Sequence, residues 1–258
     1  SKNQPMKILV SPAKSLDFES KVPTNDFSEI PFLERTKVLS QKMASKSKDD
    51  LKKLMNISDQ LAELNYQRFQ DFSFPFNKEN SRQAVYSFSG DVYKGLDVYT
   101  LPKEHIDSMQ NSLRILSGLY GLIKPLDLIQ PYRLEMGTSL KVNSSNNLYE
   151  FWGSSITDYL NQEMVKDELL VNLASKEYFK AVQSKNLKAT LVAPIFKDYK
   201  NGKLKIISFF AKKARGQMTR YILDNKIETL EGLNGFNYDG YGFSNTETLN
   251  TYEPVFIR

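Results

Sequence analysis

Four short segments carry side chains whose types and spacing could do chemistry. Ser11-Pro12-Ala13-Lys14 follows an apolar pentapeptide that ends at Val10. Loops just beyond buried strands commonly hold functional groups, and a lysine there can contact a phosphate or attack a carbonyl as a free amine. Tyr132, Arg133 and Glu135 lie within the stretch Pro131-Tyr132-Arg133-Leu134-Glu135-Met136-Gly137. Together with Asp127 they could supply an acid–base pair, and Arg133 with Glu135 equally fits a structural ion pair. Lys212-Lys213-Ala214-Arg215, with Arg220 beyond, sits where a strand should turn into a helix. On a helix Lys212, Arg215 and Thr219 would share a face able to clamp phosphates, or simply a solvated face.

The fourth segment is Leu113-Arg114-Ile115-Leu116-Ser117-Gly118-Leu119-Tyr120-Gly121, followed by Lys124 and Pro125. It reads as a helix ending in a glycine-rich turn, with a second helix after it. In such a hairpin Gly118, Leu119, Tyr120 and Gly121 would bring backbone N–H groups onto a phosphate without reading base sequence. Two residues separate the glycines where the usual hairpin has one, and a helix C-cap with a tight turn fits the same residues. The single tryptophan, in Phe151-Trp152-Gly153, could stack on an unpaired base or cap a core.

Composition removes other chemistries. The chain of 258 residues has no cysteine and one histidine, His105. Disulfides, thiol peroxidase chemistry, iron–sulfur clusters and zinc fingers are thereby excluded. His105, in Pro102-Lys103-Glu104-His105, reads as a solvated residue at the start of a surface helix. The phosphate-loop, dinucleotide, serine-hydrolase and zinc-protease signatures are all missing. A binding protein is therefore expected rather than an enzyme, with no cofactor and no metal site. The formal charge of +5 is concentrated. Between Lys185 and Arg220 ten basic residues face Asp198 alone, so this window carries +9 and the rest of the chain −4. Such a distribution suits a polyanion-binding face.

These groups must be positioned by a fold. A hydrophobic share of 40% and a charged share of 25% are those of a globular protein. Residues 6–10 read as a buried first strand. Residues 29–72 show helical spacing of Leu51, Leu54, Met55, Leu61, Leu64 and Phe69, with a helix start at Ser58-Asp59. Residues 84–88 read as a strand, 105–116 as an amphipathic helix, and 169–173 as a strand. Residues 190–196 and 204–210 flank an Asn201-Gly202 hairpin turn, and 211–223 read as a helix. Residues 235–243 read as an irregular loop with an edge strand. With no linker or repeat, the expectation is one α/β or α+β domain over 6–258, residues 1–5 being an expression remnant. No apolar run is long enough to span a membrane, and the first residues lack the form of a secretory leader.

Several segments together resemble the YaaA peroxide-stress family. They are Ser11 to Asp17, Gly90-Asp91-Val92-Tyr93-Lys94-Gly95, Leu116 to Gly121, Pro125-Leu126-Asp127, Pro131 to Gly137, Phe151-Trp152-Gly153, Asn172-Leu173-Ala174-Ser175 and Ala211 to Gly216. The resemblance implies a cytoplasmic bacterial protein that limits peroxide damage and is associated with less unincorporated iron. It implies an unusual α/β fold with a helix-hairpin-helix and a basic, DNA-binding cleft. The hairpin maps onto residues 113–121, and the cleft onto Lys14, Arg133, Lys212, Lys213, Arg215 and Arg220. Duplex DNA, intact or distorted, is then the expected partner. The alternative is an enzyme acting on a nucleotide or damaged DNA, an N-glycosidic lyase using Lys14 with Asp127, Tyr132 and Glu135.

Overall fold

The computed structural model describes residues 6–258, so the reading of residues 1–5 lies outside it. The first strand is where the apolar run predicts it: β1 (Lys7–Val10) is buried at every position. Three helices follow, α1 (Leu33–Ala44), α2 (Lys48–Met55) and α3 (Asp59–Asp71). Ser47 and Asp50 form a reciprocal capping box at the start of α2, and Asn56 ends that helix in the left-handed conformation. The Ser58 hydroxyl accepts the Leu61 N–H and starts α3 as expected.

The chain continues through β2 (Arg82–Gln83), α4 (Ala84–Ser87), α5 (Asp91–Leu96) and α6 (Ile106–Ser112). Then come β3 (Leu113–Ser117), β4 (Gly121–Ile123) and β5 (Leu128–Ile129). Two expectations are corrected here. Residues 84–88 form a helical turn, not a strand; a short, wholly buried apolar run has no periodicity to separate the two. The helix expected over 105–116 stops at Ser112, because Leu113 to Ser117 are all buried and pair with the central strand instead. A strand covered on both faces does not alternate, which is why it passed for helix.

The remaining elements are α7 (Leu148–Trp152), α8 (Ser155–Glu163), β6 (Leu169–Leu173), α9 (Lys176–Phe179), β7 (Thr190–Val192), β8 (Ile195–Lys200), β9 (Lys203–Lys205), α10 (Ser208–Asn225), α11 (Leu230–Leu233), β10 (Gly242–Phe243) and β11 (Val255–Ile257). The Asn201-Gly202 turn joins β8 to β9 with φ of 53° and 78°, the paired positive values of the expected hairpin, but the strand read over 204–210 stops at Lys205 and α10 begins at Ser208, a short, largely apolar run having no period to separate the two.

Among the described residues the strands form three sheets. The main one has the order β4-β3-β1-β6-β7. β3 and β6 run parallel to β1 on its two sides, β7 parallel to β6, and β4 turns back antiparallel to β3. A second sheet has the order β10-β11-β8-β9, and β2 pairs with β5. The result is the mixed α/β fold expected, around one apolar core that reaches from Met6 to Phe256. Six methionines (Met6, Met43, Met109, Met136, Met164 and Met218) lie inside it, and Met55 is half-buried against it. No helix of the described residues is long and apolar enough to cross a membrane.

Candidate functional site: a pocket at the strand ends

The chain leaves β1 toward β3 on one side and leaves β6 toward β7 on the other. Neighbouring parallel strands whose connections diverge leave a crevice beyond their C-terminal ends, the place where open α/β sheets bind ligands. Here the two strand ends are tied across it. The Ser11 hydroxyl, just after β1, accepts the Ser175 N–H at 2.9 Å, and the two hydroxyls lie 3.3 Å apart. The Tyr93 hydroxyl, from α5, donates to the Ser11 carbonyl at 2.8 Å.

Beyond this tie lies a cavity of about 350 Å³. Its walls are residues 11–15 after β1, 89–93 at the start of α5, 132–135, Ser175, Glu177 and Tyr178 around α9, and Lys212 and Arg215 from α10. The α10 residues reach it because α10 docks unusually close to α5. A Cβ on Gly216 would lie 1.8 Å from the Val92 carbonyl oxygen, and one on Gly95 2.1 Å from the Lys213 carbonyl oxygen. Backbone packs directly on backbone, and only glycine permits this approach.

The pocket's charges are mixed. Lys14, Arg133, Lys212 and Arg215 face Asp91, Glu135 and Glu177. Glu135 bridges two cations, with Lys14 Nζ and Arg133 Nη2 each 3.2 Å from the same oxygen. The Arg133 Nε is buried with no partner among the described residues. Burial lowers the pKa of Arg215, and no carboxylate offsets the desolvation of its guanidinium. A positive group so placed is open to an anion. Tyr132 is locked to the Ser117 hydroxyl at 2.7 Å, and burial pushes its phenol far above the ordinary value, so it serves as a neutral hydrogen-bonding group.

The structure therefore brings Lys14, Tyr132, Arg133, Glu135, Lys212 and Arg215 together, and it separates others. Asp127 is fully buried outside the pocket. It accepts the Ser28 hydroxyl at 2.6 Å and the Lys124 N–H at 2.8 Å, with Lys124 Nζ 3.5 Å away. Its pairing with Tyr132 or Glu135 is not formed, and Lys124 is occupied by it. Arg220 is a structural clamp. Its Nε pairs with Asp224 at 2.8 Å, while its other nitrogens hold the Leu96, Asp97 and Thr100 carbonyls. Thr219 shares the Lys212 and Arg215 side of α10 as expected, but it is buried there and its hydroxyl donates to the Arg215 carbonyl, so it cannot reach a phosphate. Lys213 is exposed outside the pocket wall.

The helix-hairpin-helix expected over residues 113–121 is a β-hairpin. Ser117 pairs with Gly121 across β3 and β4, and the Ser117 hydroxyl accepts the Tyr120 N–H. Gly118, Leu119, Tyr120 and Gly121 are all buried, and the Trp152 indole donates to the Gly118 carbonyl at 3.0 Å. Core contacts hold these residues, so no phosphate can reach them. Two helices joined by a short turn do occur at α2 and α3, through Asn56-Ile57-Ser58. Trp152 caps the core, fully buried. His105 is half-buried rather than solvated, and its Nδ1 lacks a partner among the described residues.

Sequence reasoning missed Ser11, Tyr93, Ser175 and Glu177 as site residues. A serine within two residues of the end of each of two parallel strands was the available signal, but it needs the strand order to be read.

Five of the eight segments that carry the resemblance line this one cavity. Residues 6–247 match a family model described as peroxide stress protein YaaA. The chain belongs to the YaaA family. Relatives of similar length are described as UPF0246 proteins. One from Flavobacterium johnsoniae is 58% identical, covering 92% of this chain and 94% of its own. One from Flavobacterium psychrophilum is 55% identical over 98% and 100% of the two chains. One from Aliivibrio fischeri is 52% identical over 95% and 96%. Membership of the YaaA family places the protein in the response to peroxide stress. Among the described residues no group of three or more His, Cys, Asp or Glu is placed to hold a metal ion.

Proposed function

We propose that the protein serves the peroxide-stress response by binding DNA through its phosphates, with little sequence preference. The observation that carries this reading is the convergence of Lys14, Arg133, Lys212 and Arg215, from three separate stretches of chain, on one cavity. Three carboxylates share the wall, so the pocket suits one phosphate-bearing unit rather than a long run of backbone. A distorted or nicked duplex presents such a unit more readily than a regular one. Lowered free iron is then a downstream effect of the DNA-bound protein, not of iron binding.

Fluorescence anisotropy with intact, gapped and single-stranded DNA across a salt series tests this. Wild type should bind with a strongly negative log–log salt slope. Lys212→Ala should weaken all ligands alike and reduce the duplex slope by about 0.9, one phosphate's worth, without lowering the melting temperature. Absence of binding at low salt, or an unaltered slope in Lys212→Ala and Arg215→Ala alike, would remove the proposal.

A second reading is an enzyme acting on damaged DNA, favoured by the 3.2 Å contact between Lys14 Nζ and Glu135 at the cavity. Glu135 could take a proton from the ammonium. The free amine would add to the aldehyde carbon of an abasic sugar and expel water, leaving an imine. Borohydride should then trap a covalent adduct with abasic DNA. No adduct, or one that persists in Lys14→Ala, rules this out.

A further inference from the structure

The pocket continues onto a surface of a different character. The β8–β9 hairpin and the first turns of α10 span residues 199–213, which hold five lysines and no acid. Lys200, Lys203, Lys205 and Lys213 are exposed, and Lys212 belongs to the pocket wall. Large apolar side chains stand between them in solvent. Tyr199 is 60% exposed, paired across the hairpin with Leu204, and Phe209 is 57% exposed. Phe209 lies three and four residues before Lys212 and Lys213, so on α10 all three share one face. Asp198, the nearest carboxylate in the hairpin, is buried and paired with Arg258.

We propose that the β8–β9 hairpin and the first turn of α10 bind an unpaired nucleic-acid strand that enters the pocket beside Lys212. Tyr199 and Phe209 stack on its bases, and the lysines hold its phosphates. The inference rests on the DNA reading above and deepens it. Exposed rings alternating with lysines match a single strand, whose bases have free faces; in an intact duplex those faces are already stacked. An anionic membrane fits less well. A helix lying in a lipid surface must offer a continuous apolar face, and that of α10 (Ala211, Ala214, Met218 and Ile222) is buried in the protein.

The test compares labelled oligo-dT of about 12 nucleotides, a site size in the usual range, with a duplex of the same length. The variants are Tyr199→Ala with Phe209→Ala, and Tyr199→Phe with Phe209→Trp. Both positions are exposed, and a melting curve of each variant checks folding. The alanine pair should lose affinity for oligo-dT by about tenfold or more while duplex affinity changes little. The aromatic pair should restore it. An alanine pair that binds oligo-dT like wild type, or loses both ligands equally, overturns the inference. Wild type that binds duplex but not oligo-dT overturns it while leaving the DNA reading intact; binding to neither overturns both. Wild type that binds phosphatidylserine vesicles but not oligo-dT assigns the patch to a lipid surface instead.

Discussion

At the scale of single residues, the same charge means different things in different surroundings. Arg215 and Arg220 are five residues apart on α10, and both read from sequence as phosphate-binding arginines. Arg215 meets no carboxylate, whereas Arg220 is consumed by Asp224 and three backbone carbonyls. Arg220→Ala should therefore cost about 1–2 kcal/mol of stability, since it removes an ion pair and several part-buried or exposed hydrogen bonds at once, and leave the salt slope of DNA binding unchanged. Chemical denaturation beside anisotropy separates the two effects. The sequence offered one local signal, Asp224 four residues beyond Arg220, but the Leu96, Asp97 and Thr100 groups that complete the clamp lie about 120 residues upstream. Asp127 was misread for the same reason. Burial raises its carboxyl pKa despite the Lys124 ammonium and the Ser28 hydroxyl. A carboxyl raised in the folded state stabilises below its unfolded pKa, and that contribution is lost as pH rises through the folded value. Asp127→Asn cannot ionise. Its stability relative to wild type should therefore improve as pH rises above the ordinary carboxyl range of about 4; a gap that stays constant or moves the other way contradicts this.

Elements were legible where local chemistry decides them. The cap of α3, the Asn201-Gly202 turn and the buried β1 all follow from side chains within a few residues. The elements misjudged, α4 and β3, are those whose form depends on pairing partners far along the chain. The α5–α10 contact belongs to this scale too. In a solvent-exposed helix, Gly→Ala stabilises by about 1 kcal/mol. At Gly216 the sign should reverse, because the added methyl meets the Val92 carbonyl; the expected loss is about 1–3 kcal/mol. Since α10 carries Lys212 and Arg215, Gly216→Ala should also weaken DNA binding. A variant that melts higher and binds normally would show that the helices can part without harm.

At the scale of the whole molecule, the sequence told of a mixed α/β fold but not of where its site would lie. The diverging connections of β1 and β6 create the pocket, and strand order cannot be read along a chain. The positive window of the sequence is likewise divided by the fold into a clamp at Arg220, a pocket wall at Lys212 and Arg215, and an open hairpin. The placement of sulfur has its own consequence. Side chains most readily attacked by peroxide are thiols and thioethers. This chain has no thiol, no thioether lines the pocket, and six of seven thioethers are sealed in the core. The protein's working surface is built from amines, guanidinium groups, hydroxyls and carboxylates, which peroxide leaves alone. After a peroxide challenge, intact-mass and peptide analysis should find Met55 as the first residue to gain oxygen, with DNA binding unchanged. A factor of the peroxide-stress response thus carries its vulnerable atoms where the oxidant reaches last.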